Sequence, residues 1–188
     1  MSSIPNNPFA PLVFWHDTRV TVREDDEEKK MDAKVYHVRY MVGESSEKKF
    51  LDSGDKVESY NEKSLYLVPS VHKLRDDPFH YDGSRVHRLA GKTNLKETKQ
   101  LTREEFCDDH DIVEVTFESP GVECCAMTKE EADEMEVPLQ FLSGYLLGKS
   151  NGMIKIAMSK TELDNGNAYY ENIRIIPEDV VKNINCLD

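Results

Sequence analysis

Several groupings of side chains have the types and spacing that chemistry would need. Gly144-Tyr-Leu-Leu-Gly148-Lys149-Ser150 approaches the glycine-lysine-serine pattern of a phosphate loop. Such a loop needs four residues between its glycines and must run from a strand into a helix, whose N-terminus binds the phosphate. This segment is one residue short, and Asn151-Gly152 and an alternating Ile-Lys-Ile follow it. The expectation is a β-hairpin turn rather than a nucleotide site.

Cys107-x-x-His110 and Cys124-Cys125 supply zinc-type ligands. Adjacent residues on a strand point to opposite faces, so Cys124 and Cys125 cannot easily share one tetrahedral ion, and no metal is expected. His72, His80 and His87, with Asp76, Asp77, Asp82 and Tyr81, are the raw material of acid–base catalysis. No nucleophile motif of the G-x-S-x-G kind and no H-E-x-x-H accompanies them, so no catalytic residue is assigned and the chain is read as not an enzyme. No cofactor is expected. An anionic ligand or partner would need convergent donors, and the candidates are Arg19, Arg23, Arg39, Arg85 and Arg88. The aromatics Phe14, Trp15, Tyr36, Tyr40, Tyr60 and Tyr66 could stack on bases, but their alternating placement fits core packing better.

The elements that must position these groups are mostly strands. The opening MSSIPNNPFAPL holds three prolines and two asparagines and reads as an extended arm. Leu12–Trp15, the alternating Val20 and Val22, and Lys34–Val42 read as strands, with Tyr36, Val38, Tyr40 and Val42 on one face; Leu65, Leu67 and Val71 mark a later one. The charge run EDDEEKKMDA between the first strands reads as a solvated hairpin tip; a calcium loop would need a glycine turn. Arg75–Gly91 has no clear period, and Leu95–Phe106 is at best a weak helix. In IVEVTF, Val113, Val115 and Phe117 alternate with Glu114 and Thr116. Thr128 and Glu131 form a capping box ahead of a short acidic helix that Pro138 limits. MIKIAM and AYYENIRII flank Asp164-Asn165-Gly166-Asn167, the strongest turn signal. EDVV reads as one turn and NINCL as a last strand.

The fold class expected is mainly β: two small antiparallel β units, the C-terminal one an Sm/SH3-like barrel with a short helix. The boundaries are 1–74 for the arm and a β-rich unit, 75–111 for a linker or excursion, and 112–188 for the barrel. With 188 residues, 38% hydrophobic and 32% charged, any core is small and the surface heavily solvated. Net charge is −12; residues 111–188 hold 15 acidic against 6 basic residues, and residues 1–110 hold 21 against 18. So acidic a surface disfavours generic nucleic-acid and anionic-membrane binding, though it could mimic DNA for a basic partner. No secretory signal and no membrane-spanning run is visible, and the four cysteines lack framework spacing, so free thiols in a reducing cytosol are expected.

Residues 112–187 resemble small phage-encoded Sm-like barrel proteins. The resemblance rests on Val113-x-Val115-x-Phe117, the short helix with Glu130 and Glu131, Gly144-Tyr145-Leu146, Ile154-x-Ile156-Ala157, and Asn172-Ile173-x-x-Ile176-Pro177 ending near Ile184 and Leu187. Phe117 stands where a tryptophan is usual, and residues 1–110 have no counterpart. The resemblance implies bacteriophage origin and a non-enzymatic, ring-forming barrel. The function expected is a virus-encoded binding and assembly module that self-associates and joins virion components or engages a host protein, in the host cytoplasm or the virion and not secreted. The alternative is an oligomeric inhibitor that sequesters a small nucleotide signal, or blocks a host nucleic-acid enzyme through its acidic surface.

Overall fold

The computed structural model describes residues 7, 9–53, 56–68, 71–73, 87–90, 97–104, 111–119, 128–135 and 137–188. The strands are β1 (Ala10–Glu24), β2 (Glu27–Ser53), β3 (Lys56–Val68), β4 (Val71–Lys73), β5 (His87–Ala90), β6 (Thr98–Gln100), β7 (Arg103–Glu104), β8 (Ile112–Glu118), β9 (Leu139–Ser150), β10 (Met153–Leu163), β11 (Ala168–Pro177) and β12 (Val181–Leu187). A five-residue helix, α1 (Lys129–Asp133), lies between β8 and β9, and a 3₁₀ turn at Glu178–Val180 precedes β12. The protein is mainly β, and these strands join in one antiparallel sheet that curls into half a barrel.

Local chemistry explains the hairpins. The β9–β10 turn is Asn151-Gly152, both with positive φ (53° and 69°), the backbone that gives a two-residue hairpin the right twist. Lys149 and Ser150 are therefore the end of a strand. Asp25 and Asp26, at φ 49° and 65°, make the same kind of turn between β1 and β2, so the acidic run is a hairpin tip as expected. Gly166 (φ 84°) closes the β10–β11 turn, where the Gly166 amide donates to the Leu163 carbonyl. Thr128 and Glu131 cap α1 reciprocally, and none of its residues is buried.

β10 is the hinge of the architecture. One edge pairs with β11 along its length; the other pairs first with β9 and then, from Ser159 to Leu163, with β2. The change of partner joins the front strands to residues 112–188 in one sheet. Where β9 meets β10 the chains come unusually close. A Cβ on Gly144 would collide with the Ala157 carbonyl oxygen and lie 2.8 Å from Ile156 Cγ2, so only glycine fits. Three residues after Gly144 the register slips, between Lys155 and Ile156 on β10, and Leu147 is the extra residue, turned outward and 37% exposed.

The main core gathers Val113, Val115, Leu142, Ile154, Ile156, Ile176 and Cys186. Each large aliphatic side chain so buried contributes about 1.5–3 kcal/mol. A second cluster, Leu12, Leu65 and Leu67, lies on the front strands. Two expectations are corrected, and the polar positions of β8 prove to be buried. The described part of the weak helix, residues 97–104, is extended: β6 pairs with β1 and β7 with β12, because each completes a neighbour's backbone hydrogen bonds. Glu114 and Thr116 are not a solvated face; they are 1% and 2% exposed, buried as deeply as the valines beside them. Cys186 is not a free thiol but disulfide-bonded, to a partner outside the described residues.

Candidate functional site

Of the arginines expected to converge, Arg19 and Arg23 do not share a face with Arg39. Arg19 and Arg23 lie on the exposed β1–β2 hairpin, where Arg19 Nε donates to Asp32 Oδ1 at 2.7 Å and Arg23 Nη2 to Asp26 Oδ1 at 3.2 Å. Arg39 lies opposite Leu12, seven positions down the ladder from Arg19, about 23 Å away. By strand alternation it projects from the other face, and its Nη1 donates to the Val38 carbonyl at 2.6 Å. The backbone of Arg88 pairs in β5 opposite Tyr66; Arg85 lies outside the described residues.

Of the three histidines expected to cluster only backbone positions are described, and those for two of the three. His72 sits in β4 opposite Phe141, and His87 in β5 opposite Leu67. His80, Asp76, Asp77, Tyr81 and Asp82, like Cys107, His110, Cys124 and Cys125, lie outside the described residues. Among the described residues no group of three or more His, Cys, Asp or Glu side chains is gathered for a metal ion, and no helix is long and apolar enough to cross a membrane.

A buried cluster that the sequence pattern did not reveal surrounds Glu114. Arg103 grips it with two bonds, Nε to Oε1 at 2.7 Å and Nη2 to Oε2 at 3.0 Å, while Tyr40 OH donates to Oε2 at 2.7 Å and Asn7 Nδ2 at 3.0 Å. Asn185 Nδ2 approaches Oε1 at 3.4 Å. Burial pushes the carboxyl up, but the Arg103 guanidinium, the Tyr40 hydroxyl and the Asn7 amide outweigh this and hold it below the usual carboxylate range. Arg103 also donates to the Phe9 carbonyl at 2.7 Å, so the cluster ties the end of the N-terminal arm to β2, β7, β8 and β12. With its oxygens engaged by these donors, Glu114 acts as a structural clamp rather than as an acid or base. The signal that could have found it was a lone carboxylate inside an apolar strand.

Two further features lie near β10. Phe14, His37 and His16 stack at centroid distances of 5.0 and 5.5 Å. Burial, with Arg39 and His16 nearby, pushes His37 down to about 4, so its imidazole is neutral at physiological pH. On the other face an open depression of about 600 Å³ is lined by Asp17, Asp32, Glu162 and Asp164 against Arg19 and Lys34. Its lining is acidic, and its one arginine, Arg19, already has Asp32 as a partner.

The strongest surface feature is β11. Among the described residues it pairs with β10 alone, so its outer edge is open. Every residue but Ile176 is exposed, including Tyr169 (48%), Tyr170 (39%), Ile173 (49%) and Ile175 (61%). Tyr170 packs edge-on against Tyr145 at 6.2 Å, and Lys160 lies over the Tyr145 ring at 5.7 Å, so the root of the strand is anchored. Asn172, at φ 55°, donates to Ser159 Oγ at 3.3 Å. An open edge with large apolar side chains does no bond chemistry; it offers backbone hydrogen bonds and apolar area to another strand. Comparison with known proteins found no matching family, no matching curated protein and no matching solved structure.

Proposed function

We propose that this chain is a phage-encoded, non-catalytic binding and assembly module that joins virion components or engages a host protein. The observation that carries the reading is β11, an edge strand left open among the described residues, with Tyr169, Tyr170, Ile173 and Ile175 exposed. Soluble proteins ordinarily blunt such an edge with many charges, an interior proline or a covering element; β11 carries one acid, Glu171, one base, Arg174, and a proline only at its end, which leaves most of its length able to pair. Five strands in residues 112–188, with one 3₁₀ turn before the last, support reading that part as an Sm/SH3-like barrel. The clusters around Ile156 and around Leu12 each lie within one of the two proposed units, while Val13 packs with Leu187, and Val38 with Tyr145 and Ala157, across the boundary between them. The disulfide at Cys186 favours the virion, where such bonds persist, over a reducing cell interior.

The alternative, an inhibitor that sequesters a nucleotide signal, needs a converging set of cations. Arg19 and Arg23 are held by Asp32 and Asp26, and Arg39 projects from the opposite face. The form of that alternative which retains support is an acidic surface offered to a basic partner.

The test is to express the tagged chain in infected cells and separate particles from soluble protein. The module reading expects the wild-type chain in particles or in a stable complex with one defined protein, and expects Ile175→Glu to be lost from it. Wild-type chain found alone in the soluble fraction throughout infection overturns the reading.

A further inference from the structure

We propose that the outer edge of β11 pairs, antiparallel and about a two-fold axis, with β11 of a second copy of this chain. The proposal rests on the reading of the protein as a binding module and names its first partner. Ten residues give about 33 Å of edge, enough for a short ladder on either side of Asn172, where φ is 55°. The usual protections are few: β11 has no lysine, only Glu171 and Arg174 as charges and one irregular residue, Asn172, and its proline, Pro177, is the last residue. The open part of the β1 edge, by contrast, carries four charged residues, Asp17, Arg19, Arg23 and Glu24.

Charge selects the occupant. β11 holds one acid, Glu171, and one base, Arg174, and so is neutral in a chain of net charge −12. A strongly charged peptide would find little complement there, while two acidic copies would approach each other with least repulsion along this strip. The best match for a neutral, tyrosine- and isoleucine-rich edge is another of the same kind.

A two-fold axis across an antiparallel pair sets a residue opposite its own copy. If that residue were Glu171 or Arg174, like charges would meet at the centre of the ladder. With Ile173 on the axis, both tyrosines would face poor partners, Tyr170 meeting Ile176, which is 3% exposed and committed to the core, and Tyr169 meeting Pro177, whereas with Asn172 there only Ala168 faces Ile176. With Asn172 on the axis, Tyr169 lies opposite Ile175 and Tyr170 opposite Arg174, twice each. These are aromatic–aliphatic and cation–aromatic pairs, and no like charges face. Asn172 is also the irregular residue of the strand, and on the axis its distortion is met by the same distortion in the partner. One short ladder is a small interface, so the dimer should dissociate in the micromolar range.

The test is sedimentation velocity of the full chain from low micromolar to submillimolar concentration, with wild type, Ile175→Glu, Arg174→Glu and, as a control on the β1 edge, Thr21→Glu. All three positions are exposed, and circular dichroism checks that each variant keeps its fold. The expected result is a monomer–dimer equilibrium that both β11 variants weaken at least about tenfold and Thr21→Glu leaves unchanged. A wild-type chain monomeric at every concentration, a dimer indifferent to the β11 changes, or growth beyond two copies overturns the proposal. The module reading is judged separately by the particle experiment. A monomer that enters particles removes only the second copy as partner, and a dimer absent from particles and from any complex removes only the module.

Discussion

Glu114 shows how one residue can decide more than its sequence position suggests. Its carboxylate holds Arg103, Tyr40 and Asn7 together at 2.7–3.0 Å with 1% of the residue exposed. Glu114→Ala would leave those donors buried without their acceptor, and an unfolding titration should show a loss of about 3–5 kcal/mol. Because the folded carboxyl titrates below its unfolded value, its stabilisation is complete above the ordinary carboxylate pKa of about 4.3 and is lost as pH falls through the lower folded value. Thermal unfolding followed below that pH should therefore show the gap between wild type and Glu114→Gln closing. His37 acts in a different window. Its folded pKa, about 4, lies below the ordinary 6.5, so the unfolded chain takes up the proton first. Its contribution is full above about pH 6.5 and declines as pH falls towards 4. His37→Phe, which keeps a ring against Phe14, should flatten the fall in melting temperature across that window; an unchanged slope would show that other groups cause it.

At the scale of elements, the hairpins were legible because turn chemistry is local. Asn151-Gly152 and Asp164 to Asn167 carry residues that tolerate positive φ, and the strands they join follow directly. Gly144 was legible only in part. As a bend in a small barrel it could be anticipated, but its stricter role is the close approach of β9 to the Ala157 carbonyl. Gly144→Ala should cost about 1–3 kcal/mol in chemical denaturation, since backbone rather than a flexible side chain must give way. β6 and β7 could not be read at all. Strands of three and two residues show no period, and they exist because β1 and β12 offer edges to complete.

Across the whole molecule, the disulfide at Cys186 links the core strand β12 to a segment outside the described residues. Reduction, or Cys186→Ala, should lower stability by about 2–4 kcal/mol, and peptide mapping without reductant should identify the partner cysteine. If mapping of carefully oxidised protein finds Cys186 as a free thiol, the link does not form in solution. What the sequence by itself determined was the β character, the hairpin turns, the capped acidic helix and the failure of the phosphate-loop pattern, since each depends on residues within a few positions of one another. Only the tertiary structure decided that β2 joins β10, that Glu114 is buried among distant donors, that Arg19 and Arg39 face apart, and that β11 is left with an open edge. Those features depend on which strands meet across long separations, and a strand's own alternation does not say what will cover either of its faces or edges.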